Sequence, residues 1–374
     1  MRVLQLGKYY YPYMGGIENH LYVLCGELKE RVSLEVVVSN TRMRTVRDMV
    51  GGIPVTRCGE ILNLASTSIC PTMALELSRR DYDLLHLHFP HPMGVMSYLA
   101  SRKPRSHRLV ITYHSDVVRQ ERLFRVFRPF MHRAMERADV IICTSPDYLE
   151  TSHELQPHRA RCRVIPYGID ISQFSHAHRH STEASRLRAR YPGPLLIAVG
   201  RLIYYKGFEH IIRAMARVDA RLLLVGDGPL RGALEAVARD CGVSGRVHFL
   251  GEIHNDEIVP YYLASDVFVL PSIARSEAFG IVQLEAMACG LPVINTALDS
   301  GVPFVSRNGE SGITVPPGDP DALAGAVNLL LGDHDLRTRL GEAGRRRAQV
   351  EFTKEVMAER VYSTYCELFE KLAT

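Results

Sequence analysis

Two kinds of hydrophobic pattern alternate along the chain. Short apolar runs without polar alternation recur in both halves, separated by longer stretches of helical spacing. In the first half the runs are Arg2–Gly7, Leu34–Val38, Leu84–His88, Leu109–Thr112 and Val140–Cys143. In the second they are Pro194–Gly200, Leu222–Val225, Val247–Leu250, Val267–Leu270 and Val293–Asn295. A strand apolar at successive positions is covered on both faces, and strands alternating with helices imply parallel sheet. The pattern predicts an α/β protein of two doubly wound domains, residues 1–170 and 171–352. The boundary follows Arg163–Asp170, where a polar, histidine-rich stretch from Ser172 to Arg190 reads as a linker with a short helix. From Thr353 to Leu372, apolar residues at Val356, Met357, Val361, Tyr365, Leu368, Phe369 and Leu372 return to helical spacing. Ligands of doubly wound sheets bind beyond the carboxyl ends of the strands. Two such sheets facing each other would leave a cleft.

Composition narrows the class. A chain of 374 residues is too long for one ordinary core and suits two. Hydrophobic residues make up 46% and charged residues 23%, the balance of a soluble globular protein. No apolar run approaches the roughly 20 residues that span a bilayer, and MRVLQLGKYYYPYMGG lacks the apolar core of a signal peptide. The eight cysteines are scattered with no C-x-x-C pair, which reads as reduced thiols in a cytoplasmic protein. The net charge of +4 is uneven. Residues 1–170 hold 23 Lys and Arg against 17 Asp and Glu, and the remainder 22 against 24, giving +6 and −2. A basic first half favours an anionic partner, a phosphate-bearing acceptor or a membrane surface.

Most of the candidate chemistry gathers in Pro271–Gly290, PSIARSEAFGIVQLEAMACG. The strand Val267–Leu270 runs into a polar loop, then Gly280, then a helix stopped by Gly290-Leu291-Pro292. Glu277 lies in the loop and Glu285 about one and a half turns into the helix. Between them the free amides of the first turn suit a phosphate. A carboxylate on either side would repel that phosphate, but each could accept hydrogen bonds from sugar hydroxyls beyond its two ends. The same two glutamates could also simply flank an ordinary helix cap.

The string from Ser276 to Val293, SEAFGIVQLEAMACGLPV, resembles the nucleotide-sugar signature of the retaining glycosyltransferase family 4. The resemblance implies the GT-B fold, two Rossmann-like domains facing across a cleft. It implies that Glu277 contacts the donor sugar, that the amides of Phe279, Gly280 and Ile281 hold phosphate and sugar, and that Glu285 binds the ribose. It also implies a tail helix, 353–374, that packs back on the first domain, making residues 1–170 the acceptor side and 171–352 the donor side. Gly200-Arg-Leu-Ile-Tyr-Tyr-Lys-Gly207 matches the family's G-R-L-x-x-x-K-G. Arg201 and Lys206 become pyrophosphate ligands, where the alternative is two solvated loop cations. Tyr11-Pro-Tyr-Met-Gly-Gly-Ile-Glu matches P-x-x-G-G-x-E, in which Gly15 and Gly16 would allow a tight turn and a close backbone approach. Val225-Gly-Asp-Gly-Pro resembles the family's G-x-G-P and places Gly226 beside the nucleotide. VIPYGID resembles the interdomain segment, with Tyr167 where Asn is usual.

His114, in TYHSD with Asp116 as companion, is a strand-end histidine that the resemblance places near the reacting sugar. His86 and His88 of HLHFPH share a strand face, a pair for a metal, but spacing identifies no third ligand. With His91 they read instead as lining of the acceptor site. The D-x-D strings Asp81–Asp83, Asp319–Asp321 and Asp333–Asp335 lie outside the donor region and read as solvated, so no essential metal or cofactor is expected. Arg119–Arg137 is basic and amphipathic. It reads as a packed helix with a charged outer face, or as a membrane-surface helix serving a lipid-linked acceptor.

These residues predict retaining transfer of a hexose, best matched by mannose from GDP-mannose, to a saccharide or polyprenyl-linked acceptor. Such an enzyme would be cytoplasmic or peripheral on the inner membrane face, with no nucleic-acid partner. The string resembles mannosyl and rhamnosyl transferases of O-antigen and exopolysaccharide assembly. GDP-rhamnose or a UDP-sugar are alternative donors, since Phe304 stands where many relatives carry a Glu. Other readings are a nucleotide-sugar epimerase, a glycan phosphorylase or a non-catalytic nucleotide-sugar-binding module.

Overall fold

The computed structural model describes residues 1–13, 15–64, 67–102, 107–116, 121–175 and 177–370, with side chains at all of these but 121, 122, 175, 177–181, 255 and 256. The chain divides into two compact units, Met1–Gly168 with Lys354–Thr374, and Ile169–Thr353. The fold is the predicted α/β class, with a largely parallel sheet in each unit.

Among the described residues, ten strands belong to the first unit: β1 (Arg2–Leu6), β2 (Ser33–Ser39), β3 (Val46–Val50), β4 (Ile53–Cys58), β5 (Leu62–Leu64), β6 (Thr67–Ile69), β7 (Leu84–Phe89), β8 (Arg108–Tyr113), β9 (Val140–Cys143) and β10 (Cys162–Val164). Eight of them form one sheet in the order β10-β9-β8-β7-β1-β2-β4-β3. Only β3 runs antiparallel, hairpinned to β4 through Gly51 and Gly52, both at positive φ. It escapes the pattern of apolar runs because its residues are almost wholly exposed. The strands β5 and β6 pair apart from the main sheet. The order reverses direction between β1 and β7, both of them buried along nearly their whole length.

The first helix, Gly16–Leu28, buries His20, Leu21, Leu24, Cys25 and Leu28. The tail helix, Lys354–Glu370, packs beside it. The tail contributes Met357, Ala358, Val361, Tyr365 and Leu368 to the same core as Val3, Leu24 and Val36. Ion pairs fasten the tail helix to the first helix at Lys354–Glu27 (3.2 Å) and to the turn that follows it at Arg31–Glu359 (2.6 Å). The last residue of the predicted periodicity, Leu372, lies outside the described residues.

The helix Glu121–Arg137 meets the packed-helix expectation mainly in its second half. It buries Met131, Ala134 and Met135 but leaves Leu123, Val126 and Phe130 exposed at 43%, 69% and 41%, beside exposed Arg125, Arg128 and Arg133. Of the arginines in the basic stretch, Arg119 and the side chain of Arg122 lie outside the described residues.

The second unit holds β11 (Leu195–Val199), β12 (Arg221–Val225), β13 (Val247–Gly251), β14 (Val267–Val269), β15 (Val293–Thr296) and β16 (Gly312–Val315). All run parallel in the order β13-β12-β11-β14-β15-β16. Counted within the sheet this is the doubly wound order 3-2-1-4-5-6, whose ligand crevice opens where the order reverses, beyond the carboxyl ends of β11 and β14. The stretch read as a linker folds into a four-residue helix, Ser172–Ser175, and a longer one, Ala177–Arg190. Ala184 and Leu187 bury one face of the longer helix, and Arg188 grips Asp266 with bonds of 2.8 and 2.5 Å.

Candidate active site

The strands that meet at the reversal of the second sheet carry most of the predicted donor residues. Arg201 and Lys206 follow β11, and Glu277 and Gly280 follow β14. Lys206 is buried and its Nζ lies 2.6 Å from Glu277 Oε2. Burial works against the ammonium charge, but the charge and hydrogen bond of Glu277 outweigh it and hold the Lys206 pKa above the ordinary lysine value. Ser272 Oγ donates to the same oxygen at 3.2 Å, leaving Glu277 Oε1 without a partner among the described residues. Arg201 is exposed, and its guanidinium forms no ion pair or hydrogen bond among the described residues.

The second carboxylate is held in the same manner. Tyr262, wholly buried, donates its hydroxyl to Glu285 Oε2 at 2.7 Å, and Glu285 Oε1 has no partner among the described residues. Burial pushes the Glu285 carboxyl above the usual carboxylate range, against the Tyr262 hydrogen bond and the charge of Lys206. The helix is shorter than expected. It runs from Val282 to Ala288, so Glu285 stands in its first turn rather than one and a half turns in.

Backbone spacing explains two of the glycines. Gly280 has a φ of 72°, and a Cβ there would lie 2.7 Å from Leu270 Cδ2. At Gly226 a Cβ would lie 2.2 Å from the carbonyl oxygen of Gly200, so this glycine lets the ends of β11 and β12 close up. Phe279 turns its ring inward to meet Phe352 edge-on at 6.1 Å, so only its backbone suits a ligand. Ile281 is half-buried at the helix cap.

Gly15 is extended, with a φ of −168°, and the space a Cβ would fill holds the Glu18 carboxylate. The space beside Gly16 is open, and Gly16 begins the first helix.

In the first unit, His114 is buried just past β8 with both ring nitrogens engaged. Nδ1 meets the Tyr167 hydroxyl, and Nε2 lies 2.9 Å from His88 Nδ1. His88 Nε2 meets Gln5 Oε1 at 2.9 Å, and Gln5 Nε2 donates to Tyr365 at 3.1 Å. The Gln5 carbonyl can only accept, so His88 carries its proton on Nε2 and offers a bare Nδ1. His114 then donates from Nε2 and accepts from Tyr167 at Nδ1. His86 stacks on His88 and is fixed by Tyr365 and Thr112, each at 2.6 Å, so it belongs to the core rather than to an acceptor lining. His91 is likewise buried, at the cap of the helix Pro92–Ala100, with neither ring nitrogen bonded among the described residues. Burial depresses His20, His86 and His91 to about 3 and holds His88 and His114 well below the usual histidine range.

Pattern reading missed three members of this cluster. Gln5 is the polar residue inside an apolar strand, and His20 lies on the buried stripe of the first helix with Leu24 and Leu28. Tyr167 stood out only as a substitution. The acidic strings are committed rather than merely solvated. Arg2 binds Asp81 and Asp83, while Asp319 and Asp333 cap helices. Asp116 accepts from Tyr113 and Ser152.

Residues 14–173 match the family described as Glycosyltransferase Family 4, and residues 182–347 match Glycosyl transferases group 1. The O-antigen chain mannosyltransferase C of Escherichia coli is 32% identical over 375 residues, 99% of each chain. The D-rhamnosyltransferase WbpZ of Pseudomonas aeruginosa is 33% identical over 359 residues, 94% of this chain and 92% of that protein. The solved sucrose-phosphate synthase from Thermosynechococcus elongatus is similar in structure, with a TM-score of 0.80 and 25% identity, covering 99% of this chain and all of that one. A parallel sheet with its reversal point framed by Arg201, Lys206 and two half-engaged glutamates, together with whole-length relatives of this kind, makes the chain a member of glycosyltransferase family 4, a glycosyltransferase of the GT-B fold.

Proposed function

We propose that the protein is a retaining hexosyltransferase whose donor is GDP-mannose, bound at the reversal point of the second unit. One observation carries this reading. Glu277 and Glu285 each have one carboxylate oxygen fixed by the protein, and the other has no partner among the described residues. Two acceptors preset in this way suit the hydroxyls of a hexose and a ribose at opposite ends of a diphosphate. Arg201 and the remaining protons of Lys206 would bind the diphosphate between them. In the transfer, an acceptor hydroxyl oxygen bonds to the anomeric carbon as its bond to the phosphate oxygen breaks. The electron pair leaves with the diphosphate, and the hydroxyl proton passes to a phosphate oxygen on the same face. Arg201 and Lys206 stabilise the charge that develops on the leaving group.

In this reading the first unit holds the acceptor. Burial keeps His114 uncharged and both of its nitrogens are engaged within the first unit, so its part is to shape the site and not to move a proton. The names of the two relatives favour a mannose-type hexose, with GDP-rhamnose as the second donor. The exposed Leu123, Val126 and Phe130 among arginines fit contact with an anionic membrane carrying a polyprenyl-linked acceptor.

A thermal-shift series tests the donor. GDP-mannose should raise the melting temperature more than UDP-glucose, and equal or larger stabilisation by UDP would overturn the guanine assignment. Arg201→Ala and Glu285→Gln should each weaken donor binding by about tenfold or more, the loss of a charge-assisted hydrogen bond. Sedimentation with vesicles containing anionic lipid tests the helix, and Val126→Glu should release the protein from them.

A further inference from the structure

We propose that His20, His88 and His114 form a divalent-cation site inside the first unit, suited to zinc or a similar borderline-soft ion. Their donor nitrogens all lie within 4.8 Å of one another, and all three side chains are buried. Each comes from a different element. His20 stands on the first helix, His88 near the end of β7, and His114 just past β8, where its amide bonds to the carbonyl of Phe89 at 2.9 Å. No carboxylate belongs to the set, so the site suits zinc, cobalt or nickel rather than magnesium or calcium.

The surrounding hydrogen bonds match a metal site. A ligating histidine usually gives its far N–H to an oxygen, which fixes the ring and aims the other nitrogen. His88 does so toward Gln5 Oε1, and the Tyr167 hydroxyl stands at the far nitrogen of His114. The near nitrogens, His88 Nδ1 and His114 Nε2, point at each other 2.9 Å apart. His20 completes the case, because neither of its buried nitrogens has a partner among the described residues.

Tetrahedral zinc with bonds of about 2.0–2.1 Å needs nitrogens about 3.3 Å apart, with a water molecule entering with the ion as the fourth ligand. His88 and His114 would open slightly and His20 would turn inward, which costs it no hydrogen bond. The proton on His114 Nε2 moves to Nδ1 and is donated to Tyr167, whose hydroxyl rotates to accept it. The histidines keep the same number of protons, and the ion replaces one hydrogen bond with three bonds. Occupancy would tie the first helix to the ends of β7 and β8.

The test needs no nucleotide sugar, so it stands or falls apart from the transfer reaction. Untagged, chelator-treated protein is titrated with Co2+ and followed by visible absorption and melting temperature. The expected result is one equivalent bound, with the intense bands of tetrahedral nitrogen coordination and a rise of several degrees. His20→Ala should lose at least tenfold in affinity. His20→Phe, which keeps the ring volume, should do the same if the smaller residue fails to fold. His132→Ala should bind normally, although His132 pairs with His158 at 3.0 Å and Glu154 at 2.7 Å in the other histidine cluster. Absence of stoichiometric Co2+, or unchanged affinity in the folded His20 variant, overturns the site.

Discussion

Lys206 and Glu277 have about a tenth of each side chain exposed, so neither charge is well solvated once its partner is gone. Lys206→Met alone should destabilise the second unit by about 3–5 kcal/mol, because it leaves Glu277 unpaired. Adding Glu277→Met should restore part of that loss, and denaturant unfolding of the three variants measures the coupling. The Lys206 pKa is raised, so the pair's contribution is complete below the ordinary lysine value of about 10.5 and is lost only as the pH climbs past the raised one. Glu285 behaves in the opposite sense. Burial raises its pKa while the Tyr262 hydrogen bond restrains the rise, so Tyr262→Phe should raise it further. Donor affinity of that variant should then decline sooner than the wild type's as the pH is lowered. The sequence showed both glutamates because they belong to a contiguous string. It could not show Tyr262, which reaches Glu285 from a separate helix, or the meeting of His20 with His88 across 68 positions of chain.

At the scale of elements, the tail helix does more than cover a sheet face. Tyr365 bonds to Gln5 at 3.1 Å and to His86 at 2.6 Å, tying the helix to the interior of β1 and β7. Tyr365→Phe should cost about 1–3 kcal/mol, since both partners stay buried with one bond lost. Chemical unfolding read by tyrosine fluorescence checks this. Fully covered strands such as β11 and β12 were legible because successive apolar positions announce them. The edge strand β3, which buries almost nothing, carried no such signal. The helix Ala177–Arg190 was partly hidden because few of its residues are apolar, and its anchor Asp266 lies far along the chain.

For the whole molecule, the uneven distribution of buried histidine matters most. His20, His86, His88, His91 and His114 all lie in the first unit and are held neutral chiefly by burial. In an unfolded chain each would gain a proton below about pH 6.5, so the unfolded state binds more protons and stability falls as the pH falls. The loss sets in below about 6.5, at up to about 1.4 kcal/mol per histidine per pH unit, and for His20, His86 and His91 it runs down to about 3. Calorimetry of the chelator-treated protein at pH 7.5 and 5.5 should show the first unit's transition dropping far more than the second's. In the second unit, among the described residues, only His248 is shifted the same way, and it is partly exposed.

The first unit is discontinuous, since Lys354–Thr374 belongs to it while Ile169–Thr353 does not. Synthesis by the ribosome therefore completes the second unit, Ile169–Thr353, before Tyr365 can reach Gln5 and His86. Nascent chains usually mature from their beginning onward. Here Met1–Gly168 must wait for a helix made after the entire second unit, and a chain stalled after residue 353 would carry a first unit with an unfinished interior.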